Sequence, residues 1–154
     1  MSAAHVRPLG DPLDFVREHP ELFLLPGALP LEFKMAFQLM FDATVRGAAP
    51  VILDRWHSWI LIGSQKDWLT SETTKSDKEL FAKVVAFPEA GQNACRHEIV
   101  VNVFASDVAV IRRSGITVIK GTTELSSLKE YVEANFANGT VVAFRVEGGQ
   151  PAAL

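Results

Sequence analysis

The chain has 154 residues, enough for one domain with a core that needs no metal or disulfide staple. Its 48% hydrophobic content excludes a disordered chain. Fifteen basic against 18 acidic residues, a net charge of −3, argue against the concentrated positive surface a nucleic-acid partner requires.

The single cysteine, Cys95, cannot form an internal disulfide, which favours a reducing compartment. The N-terminal stretch lacks a continuous apolar run of the secretory kind, and no segment approaches the length of a membrane span. The expectation is a cytoplasmic protein with no membrane or nucleic-acid partner and no cofactor.

In chain order, Asp11 and Pro12 form a helix-start signal, Pro20 ends that short helix, and Pro26-Gly27 makes a turn. A second helix is predicted over 30–46, closed by Gly47. Phe33, Phe37, Met40 and Phe41 form one stripe on it, and Met35, Ala36, Leu39 and Ala43 an adjoining face. A surface helix needs an apolar stripe only about 100° wide. This one is apolar around much of its circumference, so it is either sandwiched or carries a face for a partner.

Residues 51–55 and 59–63 read as a hairpin bending at His57-Ser58. The polar run 70–79 reads as a loop or a short helix start, and 80–89 as a strand ending at Pro88. Residues 94–105 have β-branched strand propensity, but the Asn93 cap and the i, i+4 pairs Ile99/Val103 and Val100/Phe104 favour a helix. A second hairpin turns at 113–115. A helix follows, with Leu125, Leu128, Val132 and Phe136 as its buried stripe and Thr123 or Ser127 as its cap. A last strand begins at about Thr140, and 150–154 read as a frayed tail.

These elements predict an α+β, two-layer sandwich: a mainly antiparallel sheet with helices on one face, ferredoxin-like from about residue 80. The chain reads as a single domain, 1–154, with an N-terminal arm and short helix over 1–29. The words "VVAFPEAG" and "VVAFRVEGG", together with the order of elements, suggest that 30–91 and 93–149 are duplicated halves.

Three residues near the 87–98 loop could carry chemistry: Cys95, His97 and Glu98. A nucleophilic cysteine needs a base and a depressed pKa. On a helix, residues two apart point about 200° from one another, so Cys95 and His97 meet locally only on a strand. A small buried thiol is the more economical reading. Glu98 and Asn102, spaced i, i+4 in "HEIVVN", resemble the glutamate–asparagine box of Bergerat-type ATPases, but no "DxGxG" follows, and no family is assigned on that box. Ser126 and Lys129 fit the serine–x–x–lysine pattern of penicillin-recognising enzymes. The accompanying motifs are absent, and helix capping explains these serines better. The four histidines, His5, His19, His57 and His97, show no metal-ligand spacing.

The remaining unusual feature is "RWHSW". Trp56, His57 and Trp59 sit at a hairpin bend, where exposed aromatics would suit a binding surface and cross-strand packing would pin the register. The sequence therefore favours a non-enzymatic protein- or ligand-binding domain that self-associates as a dimer or docks a protein partner. Trp56, His57, Trp59, Phe33, Phe37 and Phe41 are its candidate contact residues. The alternative is a small cysteine-dependent enzyme with its site at 87–98.

Overall fold

The computed structural model describes residues 10–121, 125–136 and 139–147. The helices are α1 (Pro12–Glu18), α2 (Pro20–Phe23), α3 (Leu31–Val45), α4 (Asp77–Leu80), α5 (Glu98–Phe104) and α6 (Ser126–Asn135). The strands are β1 (Ile52–Trp56), β2 (Trp59–Ser64), β3 (Asp107–Arg112), β4 (Gly115–Lys120) and β5 (Thr140–Arg145). All five join one antiparallel sheet in the order β1-β2-β5-β3-β4. The α+β class, with helices packed on an antiparallel sheet, is what the sequence predicts.

Local chemistry explains several element boundaries. The Asp11 carboxylate accepts from the Leu13 N–H at 2.9 Å, and Pro12 occupies the first helical position, where its missing N–H is harmless. Gly47 closes α3 in a left-handed conformation, φ +80°, that disfavours a Cβ. Ser76 caps α4 by accepting from the Glu79 N–H. Trp56 and Trp59 are direct cross-strand partners around a two-residue turn, His57-Ser58, with His57 at φ +54°.

The helices occupy both faces of the sheet, not one. Ile60, Ile62, Val108, Val110, Val142 and Phe144 point to one side and pack with Met35, Ala36 and Leu39 of α3 and with Ile99, Val100 and Val103 of α5. Their neighbours Trp59, Leu61, Ile111, Val141 and Ala143 point to the other side and meet Leu128 and Val132 of α6 and Phe136 just after it. Alternate residues of a strand face opposite ways, so one helix layer could not have buried both sets. β2 is buried at every position, and β5 at every position but Arg145. Fully burying a leucine- or phenylalanine-sized side chain stabilises the fold by about 1.5–3 kcal/mol, so the second face carries substantial stabilisation.

Two further expectations differ. Residues 81–87 form no strand of the sheet, which removes the first strand of the ferredoxin-like order from residue 80. Gly91, φ +135°, and Asn93, φ +64°, turn the chain back sharply. Residues 85–87 consequently pair with 94–96, through Phe87 N–H to the Ala94 carbonyl (2.9 Å) and Arg96 N–H to the Val85 carbonyl (2.8 Å). Asn93 thus belongs to this turn and caps no helix; α5 starts only at Glu98, with His97 at its N-cap. The two hairpins also enter the sheet in opposite senses. β1, the first strand of its hairpin, lies at an edge, whereas β3, the first strand of the other, lies inside.

α6 begins after Leu125, with no side-chain cap, so Ser127 lies within its first turn. Thr123, the other expected cap, and residues 150–154 fall outside the described residues.

Candidate functional site

The candidate residues lie in three regions: a buried charge cluster between α3 and the start of α5, the β1–β2 hairpin, and the aromatic outer face of α3.

The cluster begins at Asp42, on the inner side of α3 and fully buried. Its carboxylate accepts from the His97 backbone N–H at 2.7 Å and contacts His97 Nδ1 at 2.8 Å. This places negative charge at the start of α5, where the helix dipole favours it, and fixes one side of the imidazole. Two residues either side of this junction complete the group. Arg96 Nε donates to Glu98 Oε1 at 3.1 Å, and Arg96 Nη2 donates to the Glu98 carboxylate and, at 3.0 Å, to the Trp68 carbonyl. Both Arg96 and Glu98 are buried, and the guanidinium also lies 5.8 Å from the Phe87 ring centroid.

Burial pushes the Glu98 carboxyl up from its ordinary value; the Arg96 charge opposes this and the Asp42 charge adds to it. Cys95 is half-buried beside the same acids. Burial first, then the Asp42 and Glu98 charges, push its thiol up. A raised thiol is the reverse of what a nucleophile needs. The structure therefore gathers Cys95, His97 and Glu98 near one another, but Glu98 is engaged with Arg96 and His97 with Asp42. Glu98 and Asn102 likewise serve the fold: Asn102 Nδ2 donates to the Phe81 carbonyl at 2.9 Å, so the resemblance to an ATPase box ends at the spacing. Among the described residues, no group of three His, Cys, Asp or Glu side chains is placed to hold a metal ion.

The hairpin tryptophans do not form an exposed tip. Trp59 is 5% exposed and packs in the α6 layer, with the Arg145 guanidinium 4.8 Å from its ring centroid. Trp56 is half-buried and stacks on Tyr131 of α6 at 5.5 Å, and the Tyr131 hydroxyl donates to Asp54 Oδ2 at 2.6 Å. That hydrogen bond is the first cause pushing the Tyr131 phenol up. Of the three candidates at the bend, His57 alone is exposed, its ring edge-on to Trp56. The tryptophans act as the clamp between hairpin and helix.

The outer face of α3 is different. Met35, Ala36, Leu39 and Ala43 are buried completely, whereas Phe37 is 42% exposed and Phe41 50%. Phe33 is half-buried and stacks on Phe37 with ring centroids 6.4 Å apart. Residues 33, 37 and 41 are spaced four apart and so line one face of the helix. Nearby, Gln38 is buried with its Nε2 on the Phe23 carbonyl at 2.7 Å, which ties the α2 end to α3. Further apolar side chains are exposed on the preceding arm, among them Phe15, Leu22, Leu25 and Leu29.

The buried Asp42–His97 and Arg96–Glu98 contacts are what sequence reasoning missed. Asp42 lies 55 residues from His97, beyond any local pattern. The one available signal was an aspartate on the apolar inner side of α3, a position that only a buried partner makes acceptable. Comparison with known protein families, with curated proteins and with solved structures finds no match for the chain, so the site stands on its own geometry.

Proposed function

We propose that this chain is a non-enzymatic interaction domain whose contact surface is the aromatic outer face of α3, and that it self-associates through that face. One observation carries the reading: Phe37 and Phe41 lie one turn apart and half-exposed on a helix whose inner face is completely buried. Aromatic side chains in such a position are the residue type that dominates interface hot spots. Contiguous exposed apolar surface on a soluble chain marks an interaction site more often than chance.

The test is the molar mass by light scattering over a concentration series, for the natural sequence and for Phe37→Ser/Phe41→Ser. Both positions are exposed, so the double substitution should leave thermal stability nearly unchanged, within about 1 kcal/mol. The expected result is a concentration-dependent dimer that the double variant abolishes. A strict monomer at the highest soluble concentration contradicts self-association.

A cysteine-dependent enzyme at 87–98 is the second reading. Its support is the Asp42–His97 pair, which holds the imidazole as the acid of a catalytic triad holds its base. Against it stands the thiol pushed up by burial and two acids. On the interaction reading, Cys95 reacts with iodoacetamide at neutral pH more slowly than a free thiol, and faster once the chain is denatured. Rapid labelling of the native protein supports the enzyme instead.

A further inference from the structure

The two edges of the sheet differ. β1, at one end, carries Asp54 and Arg55 in its middle, and charges there discourage a further strand. β4 closes the other end and, among the described residues, pairs only with β3. Val118 pairs with Ala109 and Lys120 with Val108, so Ile119 is an extra, bulged residue and the regular edge runs from Gly115 to Val118. That edge contains neither charge nor proline, and Val118 is 40% exposed. Its outward N–H and C=O groups are a template for one more strand. A cavity of about 410 Å³ adjoins it on the α4 side, with Thr117, Leu69, Lys75, Asp77, Lys78 and Arg112 on its wall. Thr117 lies opposite Val110, which faces α3 and α5. Ile116 packs in the α6 layer, and Val118 faces the same way by strand alternation.

We propose that the β4 edge takes up an extended segment of a partner protein with the pattern apolar–acidic–apolar, its acid entering this cavity. The surface is separate from the α3 face and goes beyond self-association. A strand residue directly opposite Thr117 shares its face and so points into the cavity. The charge of the wall selects an acid there. Asp67 and Asp77 hold the Arg112 guanidinium, and Lys83 holds Glu79. Lys75 and Lys78 are exposed and in no salt bridge among the described residues, so their ammoniums favour a carboxylate and disfavour a cation. The two flanking residues of the segment point to the opposite face, beside Ile116 and the exposed Val118, where apolar side chains bury area. In this mode of recognition the main-chain hydrogen bonds supply affinity and the alternate side chains supply specificity.

The experiment is a titration of the isotope-labelled full chain followed through its backbone amide resonances. The probe is the synthetic peptide acetyl-Ser-Val-Glu-Val-Ser-amide. The comparisons are the same peptide with glutamine or lysine in place of glutamate, and with its three central residues N-methylated. The expected result is a saturating shift confined to residues 74–78 and 115–119, with a Kd at or below about 1 mM. Glutamine should weaken binding about fivefold and lysine further, and N-methylation should abolish it. Lys75→Gln/Lys78→Gln, at two exposed positions, should remove the preference for glutamate and leave the glutamine peptide's affinity unchanged. Shifts that never saturate, equal binding of the three charge forms, binding of the N-methylated peptide, or shifts centred elsewhere overturn the proposal. So does a change at 115–119 when the protein alone is concentrated, which would assign the edge to a second copy. Self-association through α3 moves 33–41 instead, so the two readings fail separately.

Discussion

Asp42 shows how one side chain can join two elements. It is fully buried, and its two acceptor contacts both go to His97, so it holds α5 against α3. Asp42→Ala leaves the His97 donors without an acceptor and should lower stability by about 2–4 kcal/mol in urea denaturation. An unchanged midpoint would show that the contact carries no weight. Glu98 makes a separate claim through pH. Its carboxyl is pushed up in the folded chain, so the native state holds its proton where the unfolded chain, with the ordinary value of 4.5, has lost it. The folded state binds more protons in that window, and stability therefore falls as pH rises from about 4.5 toward the raised folded value, levelling above it. Glu98→Gln removes this slope whatever its effect on the absolute stability. Parallel pH profiles for the two proteins would show that the carboxyl is not raised.

At the scale of elements, the docking of α6 on the sheet depends on a missing side chain. A Cβ at Gly63 of β2 would lie 2.6 Å from the Phe136 ring and 2.9 Å from Val141 Cγ2. Gly63→Ala should therefore destabilise by about 1–3 kcal/mol through overpacking, and a crystal structure of the variant should show Phe136 displaced. A neutral substitution would mean that the end of α6 is held loosely. The same docking marks what the sequence made legible and what it did not. The hairpins and the start of α1 were legible because their determinants are adjacent: Asp11 with Pro12, and the bend between Trp56 and Trp59. Coverage of the second sheet face was legible too, in the unbroken apolar runs 59–62 and 141–144, since a strand facing water on one side alternates with polar residues. Those runs read simply as strands, which hid the second layer. The run 81–87 is also largely apolar, yet only its end, 85–87, pairs, and it does so with 94–96 because of two positive-φ residues in the turn between. Strand propensity reports the fit of a residue to a pleated surface and does not name its partner.

For the whole molecule, the excess of apolar residues is divided between two destinations. Of the tryptophans suspected of forming a surface, Trp59 is buried and Trp56 half-buried, and both join the hairpin to α6. The phenylalanines of α3 divide the other way: its inner side is buried, and Phe37 and Phe41 stay at the surface. Helical periodicity made this division legible, because residues 33, 37 and 41 fall on one side and 35, 36, 39 and 43 on another. The burial of Asp42 was not legible, because its partner His97 arrives from 55 residues away; Glu98 pairs with Arg96 two residues off, but nothing local marks that pair as buried. Among the described residues no helix is long and apolar enough to cross a membrane.

Solvent accessibility of the Phe37 and Phe41 ring protons tests the central claim most directly. It can be read from their relaxation enhancement by a water-soluble paramagnet at low and at high protein concentration. Self-association through α3 predicts strong enhancement in dilute solution and protection of these two rings, with Phe15 as an internal comparison, as concentration rises. Equal enhancement of both rings at every concentration would contradict it.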